Sequence, residues 1–587
     1  MSNIRIAIID SGISEKSECY NHIIESYVVD YTDNIYSMQK CKPVDYIGHG
    51  TAVAHILFNK NTEIDIICIR ICETNMVINE DGLIFILKYI YDNLNVDIIN
   101  ISAGITYLNN YHEFEKICNN LYEKGIYIVS AFDNDGAISY PAAFDNVIGV
   151  DTKDEYDNKK DIYYVKNSII DILVPNIFYR TVWLDKKTII KGSSFACAYI
   201  TGILSQYIKS SNPKIKKEVI LKKISTKQIS LKKTTEIKSP NLQIKKAIVL
   251  PINKESNALL RFKDMLNFTI AGVYDERLSG NIGKELFGFK IKSIDMIQWD
   301  DDFDTIILSC TSALSSITKH NYDDLIVTMA QKYNKKIYSF ENLQSSYGGI
   351  FYPNISSAMM PYMNNFKLHR VNIPIVSVFG TSSKQGKFTL QLHLIKRLRE
   401  LGYNVGHIST EPSGYLLGAD YVFHFGYPAN LNIQPWECIS ILNNMAWQVQ
   451  LKNRDILVTG CQSGILHYNN SRIDDFAIYQ YAFTLGIMPD FCILCINPHD
   501  AMDYISKTIN FIDSIDEGKV KALVMFPQKA VDTISGIKYK TYELSTSEIN
   551  TTKEYLFERF HIPVYTLGNA ADMQELCNLV IDYFSAD

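Results

Sequence analysis

The sequence predicts an α/β protein of parallel sheets in three successive parts, and three observations carry that prediction. The chain opens on an apolar run, Ile4 to Ile9, that stops at Asp10; such runs suit strands buried on both faces. Further on, Leu266–Asp275, Asp304–Ser309 and Lys336–Phe340 read as strands with helical stretches between them, the rhythm of βαβ units. A third sheet is announced by Ile373-Pro-Ile-Val-Ser-Val-Phe379, followed by the loop Gly380–Thr389 and an amphipathic helix from Leu390. The parts are expected at 1–240, 250–368 and 370–587, in keeping with about 150 residues per domain for a chain of 587.

The first part carries an acid, a base and a nucleophile in the order Asp, His, Ser. Asp10 ends its strand, and the carboxyl edge of a parallel sheet is where functional groups gather. His49 stands in Gly-His-Gly ahead of Thr-Ala-Val-Ala-His-Ile-Leu, a helix with an apolar face; the glycines are read as allowing backbone and substrate to approach closely. Ser194 follows Gly192-Ser193 and opens the apolar stretch Phe195–Leu204, at a helix N-terminus that favours developing negative charge. An aspartate can orient the imidazole, and the imidazole can take the hydroxyl proton.

These segments, Ile-Ala-Ile-Ile-Asp-Ser-Gly, Gly-His-Gly-Thr and Gly-Ser-Ser-Phe-Ala, resemble the subtilases over roughly the first 240 residues. The resemblance implies a subtilisin-like fold and a serine endopeptidase with catalytic Asp10, His49 and Ser194. It also makes Asn134 in Val129–Gly136 the oxyanion donor and Ser102, Ala103 and Gly104 the edge that binds an extended peptide. Two positions depart from the pattern: Asp133 replaces the usual glycine before the asparagine, and Ala198 replaces the usual proline in the helix.

Composition narrows the setting. A net charge of −6 gives no electrostatic case for nucleic acid, and no 18-residue apolar run exists to span a membrane. Met1-Ser-Asn-Ile-Arg leads straight into the first strand, which is expected of a cytoplasmic chain without signal peptide or pro-domain. The 12 cysteines are expected to offer no CxxC pair and no metal spacing, and are read as reduced, mostly buried thiols. Neither a metal site nor calcium is expected.

A lysine-rich stretch, Pro213–Lys246, reads as a solvated helix face and linker. The middle part should be a small Rossmann-like domain, although Gly272-Val-Tyr-Asp lacks the three-glycine dinucleotide turn. In the last part, strand, glycine loop, lysine and helix are the components of a phosphate-binding P-loop. Five residues separate Gly380 from Gly386, and Phe388 follows Lys387, so Thr389 would have to serve a magnesium ion. These peculiarities resemble dethiobiotin-synthetase-like P-loop proteins of a poorly characterised two-domain family. That resemblance implies a nucleotide site at Gly380, Gly386, Lys387, Phe388, Thr389 and Glu411, with ATP or another nucleotide and magnesium as the cofactor. At the Walker-B-like position stands Thr459 instead of an acid, with Glu411 or Asp420 as substitutes. Asn497-Pro-His-Asp reads first as a turn, with a base-reading role as the alternative.

Together these features predict a cytosolic serine endopeptidase cutting a ribosomal precursor peptide, its C-terminal half binding nucleotide for recognition or regulation. The alternatives are an ATP-dependent ligase or kinase acting on a peptide or amino acid, or an inactive protease serving as a scaffold. Homo-oligomerisation is left open.

Overall fold

The computed structural model describes residues 3–585 except 34, 72–78, 135, 209–214, 231–236, 238–242, 312–314, 316–317, 362–366, 426–430, 468–475, 516–517 and 532–539. Parts of the lysine-rich stretch therefore lie outside the described residues. Two compact units emerge, one of residues 1–234 with 361–372, the other of 235–360 with 373–587.

The first unit is built on a ten-stranded sheet. Its parallel centre runs in the order Ile148–Lys153, Tyr127–Ala131, Ile98–Ile101, Ile4–Asp10, Ile64–Arg70, Ile23–Thr32. The opening run forms because its isoleucines can be covered on both faces: Ile6, Ile8 and Ile9 are each at most 1% exposed. Burial of this kind is worth about 2 kcal/mol per side chain. Helix His49–Phe58 and helix Ser193–Tyr207 pack on one face, where Ala52, Ala54, Ala196 and Ala198 are fully buried and let the two helices approach closely. The helix carrying Ser194 runs unbroken through Ala198, the position of the missing proline. A hairpin, Tyr179–Trp183 with Lys186–Ile190, adds a separate two-stranded sheet.

The second unit contains two seven-stranded sheets. The first is centred on Lys246–Leu250, flanked by Thr269–Asp275 and Thr305–Leu308, all parallel. The second is parallel throughout, with Ile375–Gly380 between Ile456–Gly460 and Phe491–Ile496. Both follow the alternation expected from the sequence. No described helix is long and apolar enough to cross a membrane.

Candidate functional site

Asp10 ends the central strand of the first sheet, and His49 begins the neighbouring helix. His49 Nδ1 lies 2.8 Å from Asp10 Oδ1, with the carboxylate 2% and the histidine 8% exposed. The Ser11 N–H donates to the same oxygen at 2.8 Å. Burial pushes the imidazole pKa down; the charge of Asp10, its hydrogen bond and the charge of Asp45 outweigh that and hold it above 6.5.

The flanking glycines do admit close neighbours. Gly48 is left-handed at φ 102°, and a Cβ there would come within 2.6 Å of the Trp183 ring. At Gly50 a Cβ would sit 2.3 Å from the Gly12 carbonyl oxygen. The close approaches seen are to the Trp183 ring and to the Gly12 backbone. Trp183 and Phe195 stand around the imidazole, with ring centroids 5.9 and 5.3 Å away.

Asp45 was not visible as a site residue. It is 6% exposed and accepts from Ser11 Oγ at 3.0 Å, Ile47 N at 2.9 Å, Gly48 N at 2.7 Å, Thr51 N at 2.9 Å and Thr51 Oγ1 at 2.6 Å. Ser11 Oγ in turn accepts from Gly50 N at 2.9 Å. One carboxylate therefore ties the Asp10 turn to the first turn of the His49 helix. An acid a few residues ahead of Gly-His-Gly is the signal that could have found it.

Ser194 is the second residue of its helix, so its backbone N–H is one of those left without an intrahelical acceptor. Its hydroxyl donates to the Ser102 carbonyl at 2.8 Å, and no hydrogen bond joins it to His49 in this structure. Attack would require rotation of the hydroxyl toward the imidazole; loose nucleophile–base contacts are common without substrate. Asn134 is held by its side-chain oxygen, which accepts from Ser193 N and Ser193 Oγ, both at 3.1 Å. Its side-chain amide stays available on the exposed side beside Gly192. Asp135, next to it, lies outside the described residues. Ser102 is buried, Ala103 half-buried and Gly104 exposed. Beneath them Asn100 Nδ2 donates to Thr201 Oγ1 at 2.8 Å and its Oδ1 accepts from Ser102 Oγ at 3.1 Å.

In the second unit the loop after Ile375–Gly380 leads to helix Lys387–Glu400, as a P-loop requires. Lys387 is 8% exposed and donates to Ser382 O at 2.6 Å, and burial pushes its pKa down. The backbone N–H groups of Ser383 to Lys387 have no protein acceptor among the described residues. Gln385 fills part of the loop, accepting from Ser382 N at 3.1 Å and donating to Thr381 Oγ1 at 2.6 Å. A cavity of about 510 Å³ adjoins it, lined by Gly386, Lys387, Phe388, Thr389 and Glu411 together with Lys254; Gly380 lies behind, at the strand end. Burial raises the Glu411 pKa to about 7, against the pull of Lys254. The free N–H groups and the lysine fit a phosphate. The magnesium side fits less well, because Thr459 spends its hydroxyl on Ile408 O at 2.7 Å and Asp420 is paired with Arg454 at 2.7 Å. Asn497 donates to Ser382 Oγ at 3.2 Å, and Asp500 accepts from Thr381 Oγ1 at 2.5 Å, so this turn braces the loop. Contrary to the expectation, the chain does hold a CxxC pair, Cys492-Ile-Leu-Cys495, but it lies within one buried strand, where a separation of three places the thiols on opposite faces. Among the described residues no group of metal-ligating side chains forms.

The first unit is a subtilisin-like serine protease domain, and the second ends in a P-loop α/β domain. The description "Subtilase family" matches residues 1–247, and "Domain of unknown function (DUF1611_C) P-loop domain" matches residues 363–575. The chain thus joins a subtilase domain to a P-loop domain of the DUF1611 type. Among curated proteins it is similar to the minor extracellular protease Epr of Bacillus subtilis (strain 168), 30% identical over 168 residues, which is 26% of this chain and 24% of that one. It is also similar to thermitase of Thermoactinomyces vulgaris, 26% identical over 216 residues, or 34% of this chain and 74% of that one. The chain spans only about a quarter of the first of these. Among solved structures, a DUF1611 family protein from Anabaena variabilis matches with a TM-score of 0.41 and 13% identity, over 58% of this chain and all of that one. A lanthipeptide protease matches with a TM-score of 0.31 and 15% identity, over 37% and 78%.

Proposed function

We propose that this protein is a serine endopeptidase that cuts a peptide precursor, with a phosphate- or nucleotide-binding site in its C-terminal half. The observation that carries the first part is the buried Asp10–His49 hydrogen bond beside a helix-borne serine. In this reading His49 takes the Ser194 proton, the serine oxygen attacks the scissile carbonyl, and the oxyanion is met by the Ser194 N–H and the Asn134 amide. Water then releases the acyl-enzyme, with His49 returning the proton. An extended peptide would lie along Ser102–Gly104 by strand addition. The precursor-peptide substrate rests on the pairing of a protease domain and a P-loop domain in one chain. A reducing compartment such as the cytoplasm is supported by the thiols, since all eleven described cysteines are free and nine of them are buried.

The phosphate site rests on the unpaired loop amides and Lys387. A bound ATP would supply phosphates for that cradle, with Thr389 and Glu411 as the residues nearest to serve a metal. The experiment is labelling by a fluorophosphonate probe. Wild type should label and Ser194→Ala should not; equal labelling of both, or none of either, would refute the protease reading.

A further inference from the structure

A stretch of chain about 150 residues or more beyond the Ser194 helix groups with the protease unit, 361–372, and not with the sheets on either side of it in sequence. The described part, 367–372, lies along the loop that carries Asn134. Ile138 N donates to Leu368 O at 3.0 Å, giving a parallel bridge between Ala137 and Leu368. Asn372 Nδ2 donates to Leu108 O at 2.8 Å. Lys367 reaches further in. Its ammonium donates to Asp133 O at 3.0 Å and lies 3.4 Å from Asp151 Oδ2, with the two side chains 7% and 8% exposed. Lys367, Asp133, Asn134 and Gly192 line one cleft of about 520 Å³.

The Asp133 carbonyl belongs to the peptide that joins Asp133 to Asn134. Holding that oxygen sets the peptide plane from which the Asn134 side chain departs. Among the described residues, the side chain itself is held by Ser193 alone, through two bonds to one oxygen. The loop has freedom to lose, since Gly136 just beyond sits at φ 92° with open space around it. A buried ammonium is tolerated when a carboxylate and a carbonyl both meet it, and here one of those partners is the oxyanion loop itself. We infer that Lys367 is a positioning residue: anchored by Asp151, it holds the Asp133–Asn134 peptide and thereby aims the Asn134 amide at the oxyanion. The protease site is then incomplete without a residue from beyond the middle domain.

This inference rests on the assignment of Ser194 and Asn134 above, and the test separates the two. Full-length variants are labelled with a fluorophosphonate probe, reading the maximal rate and the half-saturating concentration separately. Asn134→Ala should slow the maximal rate about 10²–10³-fold. Lys367→Met should slow it about tenfold or more, with half-saturation little changed. Because that substitution strands a buried carboxylate, Lys367→Met/Asp151→Asn is measured beside it, with thermal melting of both. In an Asn134→Ala background the Lys367 substitution should change the rate less than about twofold, since its effect passes through that side chain. A double variant that melts like wild type and labels at its rate would overturn the inference, as would an undiminished loss in the Asn134→Ala background. Full-speed labelling of Asn134→Ala would instead bring down the oxyanion assignment, and the positioning role with it.

Discussion

At His49 two forces act on one proton. Burial favours the neutral ring, while Asp10 and Asp45 favour the cation, and the carboxylates win. With His49 as the proposed base the neutral ring is the working form, so the activity should fall as pH drops through a value above 6.5, the ordinary imidazole value. Measured as fluorophosphonate labelling against pH, the acid limb should lie above that value in wild type and move down in Asp10→Asn. Asp45 makes a second case. It is the acceptor of five hydrogen bonds, so Asp45→Ala would leave buried donors unpaired. A loss of about 3 kcal/mol is expected, read as a lower melting temperature of the protease unit together with slower labelling. The signal for Asp45 in sequence is a single acid in a polar loop; its weight comes from donors that folding brings to it.

At the scale of elements, the P-loop shows how a helix N-terminus and a strand end make an anion site. The amides of Ser383–Lys387 face no protein acceptor among the described residues, and Lys387 lies at the same end of the helix. Glu411 lines the same cavity with its pKa raised to about 7. Protonated, it is neutral; as pH rises through about 7 it becomes an anion beside the bound anion. Affinity for inorganic phosphate, measured by calorimetry, should therefore weaken between pH 6 and 8 beyond what phosphate's own titration gives, by up to about tenfold. Glu411→Gln should remove that extra dependence, and Lys387→Ala should weaken binding at every pH. An unchanged affinity in Lys387→Ala would exclude the cradle as an anion site. Strand, loop and helix were readable here because each has a local pattern. The diversion of Thr459 to Ile408 was not, because it depends on a strand about fifty residues away in the chain.

At the scale of the molecule, each unit buries its own sheets, and the thiols follow. Of the described cysteines, Cys41 and Cys310 are half-buried and the other nine buried. Burial also raises the pKa of Cys68 and Cys495 to about 12, which suppresses their thiolates. Ellman titration of the native protein should find a small fast class, and denaturation should release all 12 thiols. Disulfides after denaturation without reductant would contradict the reduced state.

The sequence by itself determined the α/β class and the parallel sheets, and it singled out Asp10, His49, Asn134 and Ser194 as candidates, because each sits in a short segment whose neighbours constrain it. Only the tertiary structure decided that Asp45 binds the Asp10 and His49 turns together, that the glycines around His49 make room for Trp183 and Gly12, and that Lys367 reaches the loop of Asn134. Those contacts join residues up to 234 positions apart. Side-chain periodicity and motif spacing report on a few neighbouring residues along the chain, so partners of that kind exist only once the sheets have closed around them.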